Sequence, residues 1–70
     1  MADQKWIPVT SSNLSEVMYD PDSRTLSIRF HSGAEYSYAD VPPEAAQELI
    51  RAPSPGRYFH NAIRGAYDQV

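Results

Sequence analysis

The stretch Thr25-Leu26-Ser27-Ile28-Arg29-Phe30-His31-Ser32-Gly33-Ala34-Glu35-Tyr36-Ser37-Tyr38 leaves the chain few folds to choose from, because its apolar residues fix a strand register. Leu26, Ile28 and Phe30 alternate with polar residues, and so do Ala34, Tyr36 and Tyr38. Alternation of period two marks a half-buried strand. A two-residue Ser32-Gly33 loop would pair Phe30 with Glu35 and send the two apolar sets to opposite faces. A three-residue loop, His31-Ser32-Gly33, pairs Phe30 with Ala34, Ile28 with Tyr36 and Leu26 with Tyr38. Every apolar group then lands on one face. A slip of one residue reverses all of them, so the longer loop is expected, with Gly33 in the left-handed region. On this parity Tyr36 and Tyr38 read as core residues rather than as a stacking platform.

Upstream, Val17 and Tyr19 share a face, and Asp20-Pro21-Asp22-Ser23 has the chemistry of a turn. Ile7-Pro8-Val9 suits only a sheet edge, since Pro8 has no N–H to donate. The second sheet face carries Met18, Thr25, Ser27, Ser37 and Ala39, with Arg29 opposite Glu35 and Glu16 nearby. It reads as a solvated face with an ion pair worth about 0–1 kcal/mol. Pro42-Pro43 ends the sheet and can open a helix whose apolar residues are Ala45, Ala46, Leu49 and Ile50, closed by Ala52-Pro53. Ser54 is placed to cap a second helix, with Pro55 in its first position. Tyr58, Phe59, Ala62 and Ile63 form the buried stripe of that helix, and Gly65 its stop. The expected fold is α+β: a three-stranded antiparallel β-meander, extended by an N-terminal edge strand if residues 7–9 pair, followed by two short C-terminal helices packed on one face. Residues 1–6 read as a flexible tail and residues 7–70 as a single domain.

Seventy residues cannot hold a second domain, and a domain of this size buries only about 60% of its unfolded surface. There is no cysteine, which removes disulfides, thiolate metal sites and a thiol nucleophile. The N-terminal residues lack the apolar run of a signal peptide or membrane span, so a cytoplasmic place is expected. His31 and His60 are the only histidines and do not have metal-ligand spacing. Neither a Gly-x-Ser-x-Gly elbow nor a phosphate-binding Gly-x-x-x-x-Gly-Lys occurs. No cofactor, metal, small-molecule substrate or catalysis is expected.

Charge is uneven. The net charge is −3, yet three of the six basic residues, Arg51, Arg57 and Arg64, fall after position 50 beside a single acid, Asp68. Arg57, His60, Asn61 and Arg64 fall at i, i+3, i+4 and i+7 of the last helix and form one acid-free stripe opposite Tyr58, Phe59, Ala62 and Ile63. A helix needs a polar face, so a solvated stripe is the plain reading. Arg and Asn also address phosphates, which makes these four residues the candidate nucleic-acid contact. A protein partner is the alternative, docking on Trp6, Ile7, Tyr67 and Val70 near the termini.

The ordered set Ile7-Pro8-Val9, Ser11-Ser12-Asn13-Leu14, Val17-x-Tyr19-Asp20, Leu26-x-Ile28-x-Phe30-x-x-Gly33, Tyr36-x-Tyr38-x-x-Val41-Pro42 and Ser54-x-Gly56-x-Tyr58-Phe59-x-x-x-Ile63-Arg64 resembles the KTSC domain. That module occurs at the C-terminus of some lysyl-tRNA synthetases and as small free-standing bacterial and phage proteins. The resemblance spans about residues 7–67, and its central mark is Tyr36-Ser37-Tyr38. With so short a chain and no catalytic motif, a non-catalytic binding module is expected, with Tyr36, Tyr38, Gly33, Ser54, Gly56, Phe59 and Ile63 as structural positions. RNA is the partner suggested by the synthetase association.

Overall fold

The computed structural model describes residues 5–70. Its elements are β1 (Ile7–Pro8), β2 (Leu14–Asp20), β3 (Thr25–Phe30), β4 (Glu35–Tyr38), α1 (Pro43–Arg51), α2 (Pro55–Tyr58) and a π-helical turn over Phe59–Ile63. The strands form one antiparallel sheet in the order β1-β2-β3-β4, so residues 7 and 8 do supply an edge strand. Residues 1–4 of the expected tail lie outside the described residues. Among the described residues, no helix is long and apolar enough to cross a membrane.

The β3–β4 hairpin has the three-residue loop. Leu26 pairs with Tyr38, Ile28 with Tyr36 and Arg29 with Glu35. The Phe30 N–H donates to Ala34 O at 2.8 Å, and the Gly33 N–H donates to Phe30 O at 3.0 Å. Gly33 has φ +95, where a β-carbon is disfavoured. Between β2 and β3, Leu14 faces Phe30 while Glu16 faces Arg29, so Ser15 is the extra residue of a β-bulge. The bulge reverses the alternation, and Leu14 and Val17 therefore both reach the core.

Leu14, Val17, Leu26, Ile28 and Tyr38 from the sheet meet Ala46 and Leu49 of α1 and Phe59 and Ile63 of the π-turn. Each large side chain buried here is worth about 1.5–3 kcal/mol. The helices cover the face that the register argument assigned to them. The opposite face is less solvated than expected. Ser27 is buried and shares a hydrogen bond with Ser37, Oγ to Oγ, at 2.9 Å. Arg29 reaches Glu16 at 2.9 Å and Glu35 at 3.4 Å, and its guanidinium lies 4.1 Å from the centre of the Trp6 ring. The indole thus covers part of the polar face.

Three sequence expectations are corrected. Tyr36 shares the face of Tyr38 but is 41% exposed, because it sits on the edge strand near the hairpin loop, short of the helical cover. Ser54 holds the N-cap position with no side-chain capping bond; its backbone carbonyl accepts from the Tyr58 N–H at 3.0 Å instead. The second helix is also not a uniform α-helix. The Arg64 N–H donates to Phe59 O at 2.8 Å, a five-residue closure that widens its last turn.

After Gly65 (φ +85) the chain returns along β4. The Ala39 N–H donates to Asp68 O at 2.9 Å and the Val70 N–H to Ser37 O at 2.8 Å, which covers an edge that would otherwise invite pairing. Val70 therefore lies at the β4 edge and Ile7 at the β1 edge, while Tyr67 packs on the core. The apolar residues near the termini do not form one surface.

Candidate nucleic-acid interface

Two grooves adjoin where the Ser11–Asn13 turn meets α2 and the hairpin loop. The first, about 530 Å³, has an aromatic floor. Phe30 is the hub of that floor: its ring stands edge-on to Tyr36 and to Phe59, each at 5.6 Å between centroids. Phe59 makes the same contact with Tyr38 at 5.6 Å. The register of β3 and β4 places Phe30, Tyr36 and Tyr38 on one face, and the π-turn brings Phe59 down onto them. Tyr38 is closed off by this packing, whereas Tyr36 keeps its ring in contact with solvent. Burial raises the Tyr38 hydroxyl above the ordinary tyrosine value of 10.0, and the nearby Arg64 charge opposes that rise in part. The phenol is therefore neutral in ordinary buffers.

The groove wall is built by hydrogen bonds. Ser11 Oγ accepts from the Asn13 and Leu14 N–H groups, both at 3.2 Å. The His31 N–H donates to Asn13 O at 2.9 Å. His31 Nε2 lies 2.9 Å from Ser11 O, and since a carbonyl only accepts, Nε2 carries the proton. On the other side, Gly56 lets α2 approach this turn: a β-carbon there would stand 3.2 Å from Ser11 Oγ. Gly56 thus serves close packing and has no positive φ.

The second groove, about 580 Å³, runs between the same turn and residues 53–57. It shares Ser12, Asn13, Gly56 and His60 with the first. Of the four residues expected to act together, Arg64 lines the aromatic groove, Arg57 the second groove and His60 both, while Asn61 lines neither. All four are exposed. The single stripe is split because the π-turn alters the angular step after Tyr58 and Arg64 leaves the helix with extended backbone, φ −65 and ψ 122. Among the described residues, no aspartate or glutamate lines either groove. His31, Asn13 and Gln69 belong to the aromatic groove and were not singled out from sequence. His31 had a legible signal, its place in the loop that the register selects. Gln69 had none, because its position depends on the tail pairing with Tyr38. No group of three or more histidines, aspartates or glutamates able to hold a metal occurs among the described residues.

Comparison with known proteins fits this architecture. The KTSC domain model matches residues 10–67, and the chain belongs to that family. The crystal structure of a KTSC domain protein from Yersinia pestis superposes with a TM-score of 0.91 at 37% identity, covering 97% of this chain and 96% of that one. A protein of Stutzerimonas stutzeri is 42% identical over 60 residues, 86% of this chain and 84% of its own length. The lysine–tRNA ligase of a Nostoc species is 45% identical over 49 residues, 70% of this chain but only 9% of the ligase. This chain therefore corresponds to a small part of that enzyme.

Proposed function

We propose that this domain is a non-catalytic module that contacts unpaired RNA through the aromatic groove. The observation that carries this reading is Tyr36, an aromatic residue 41% exposed, in T-shaped contact with Phe30 in a groove whose charged side chain is Arg64. A half-exposed aromatic residue held against Phe30 leaves room for a base to stack, and base–aromatic stacking is worth about 1–3 kcal/mol per base. Arg64 supplies the attraction to phosphate, and the acid-free lining spares the ligand the repulsion of a body with net charge −3. Only an unpaired base can reach such a ring, so single strands and loops are favoured over duplex. The similarity to a segment of a lysine–tRNA ligase supports RNA as the class of partner.

The test is fluorescence anisotropy with a short labelled single-stranded RNA at two salt concentrations. Tyr36→Ala should weaken binding roughly tenfold at either salt level. Arg64→Ala should weaken it across sequences and lower the salt slope by about 0.7, one single-strand phosphate contact. The same sequence as a duplex should bind less well. Wild-type affinity in both variants, or a preference for duplex, would falsify the reading.

A further inference from the structure

We infer that the second groove is a phosphate subsite, so that the two grooves together hold one unpaired nucleotide and the phosphate attached to it. This rests on the RNA reading above and adds a separate role for Arg57. The two grooves adjoin, sharing the Ser12–Asn13 wall, Gly56 and His60, which sets them within reach of one ligand. Their chemistry differs along that path. The first offers the rings of Phe30, Tyr36 and Phe59. The second offers Arg57, His60 and the hydroxyl-bearing residues Ser11, Ser12 and Ser54, with no carboxylate among its described lining residues. Ser11 Oγ uses its lone pairs on the Asn13 and Leu14 amides, which leaves its hydrogen to donate outward.

Both slots are free of acids and each has one arginine, but only the first has Phe and Tyr rings among its described lining residues, so the pair matches a base joined to an anion. Each groove falls within the usual range for a small-ligand site, roughly 300–1,000 Å³. The geometry also accounts for the split of the expected stripe. A uniform α-helix would set Arg57 and Arg64 on one face, whereas the π-turn gives each groove its own arginine. The phosphate is either an internal phosphodiester or a terminal phosphate, and the chemistry that recognises them is the same.

The experiment is a nitrogen-15 amide titration of wild type, Arg57→Ala and Tyr36→Ala with adenosine, adenosine 5′-monophosphate, the dinucleotide ApA and a short oligoadenylate. A matched oligoadenylate with uncharged methylphosphonate linkages completes the set. Wild type should bind the charged member of each pair about tenfold more tightly than the uncharged one. Arg57→Ala should remove the preference for adenosine 5′-monophosphate over adenosine, lower that for oligoadenylate over its methylphosphonate analogue to the share Arg64 supplies, and leave the uncharged ligands unaffected, and Tyr36→Ala should weaken charged and uncharged ligands alike. A stronger preference for ApA than for the mononucleotide would assign the subsite to the phosphodiester, and the reverse to a terminal phosphate. The inference is overturned if charged and uncharged members bind alike, or if Arg57→Ala keeps the full preference for adenosine 5′-monophosphate over adenosine. Tyr36-dependent oligonucleotide binding in that case leaves the RNA reading standing while the subsite fails. Oligoadenylate that does not bind at all overturns both.

Discussion

Tyr38→Ala and Tyr36→Ala change the same residue type, two positions apart on one strand face, and should give different results. Tyr38 is 5% exposed and packed on Phe59, so its removal loses transfer energy and leaves a cavity. Such aromatic truncations cost about 3–5 kcal/mol. At roughly 0.05–0.15 kcal/mol per residue, a chain of this length has only about 4–10 kcal/mol to lose. Tyr38→Ala should therefore be largely unfolded or melt at least about 12 °C lower, given roughly 4–8 °C per kcal/mol at this size. Tyr36 is 41% exposed, so water replaces much of its ring and no closed void forms. Its loss should cost about 1–2 kcal/mol, transfer of the covered part together with the edge-on contact to Phe30. Thermal melting followed by circular dichroism distinguishes the two. Equal melting temperatures for the variants, or a larger loss for Tyr36→Ala, would refute the division between a buried and a presenting tyrosine.

Other perturbations follow from the same geometry. Gly33→Ala should cost about 1–2 kcal/mol through backbone strain alone, since a β-carbon at φ +95 meets no atom within 4 Å; an unchanged urea midpoint would contradict this. Gly56→Ala should shift the amide resonances of Asn13 and Leu14, because the new methyl presses on the Ser11 Oγ that holds them. Its melting temperature should not rise, despite alanine's helix advantage of about 1 kcal/mol, and a rise of that size would show that the turn yields freely. Tyr19, Tyr38 and Tyr58 are all raised above 10.0, burial being the largest cause, and for Tyr58 the hydrogen bond it donates to Glu48 adds to it. The unfolded chain then ionises first, so this contribution is whole below pH 10 and is lost as pH rises beyond it. The urea midpoint should fall across that range, and Tyr58→Phe should lessen the fall; a midpoint that holds steady through it would contradict the assignment.

The fold was legible where a periodic pattern met a steric constraint. Leu26, Ile28, Phe30, Tyr36 and Tyr38 admit one register that keeps them together, and Gly33 is the residue that permits the loop. Helix ends were legible from Pro43, Pro53 and Pro55 for the same kind of reason. Three features were not legible. The bulge at Ser15 reverses parity with no special residue to announce it, so Leu14 was not assigned to the core. The π-turn depends on how Phe59 and Ile63 settle onto the sheet, a tertiary choice that local spacing does not encode. The exposure of Tyr36 depends on where the helical cover ends, whereas parity fixes only the face. Of the candidate contact residues, Arg57, His60, Asn61 and Arg64 were named from the sequence as one stripe, whereas the division of Arg57, His60 and Arg64 between two grooves, with Asn61 in neither, required the fold.

The central claim is that unpaired RNA seats on Tyr36 between the hairpin loop and the π-turn. Mapping amide shifts during titration of the isotopically labelled domain with a short single-stranded RNA tests it most directly. Saturable changes are expected at Ser12, Asn13, His31, Tyr36, His60 and Arg64, extending to Ser54 and Arg57 if the second groove holds the phosphate, reduced by added salt, with β1 and α1 unmoved. Changes centred on the Trp6–Arg29 face or on α1, or none at RNA concentrations that saturate a weak site, would contradict it.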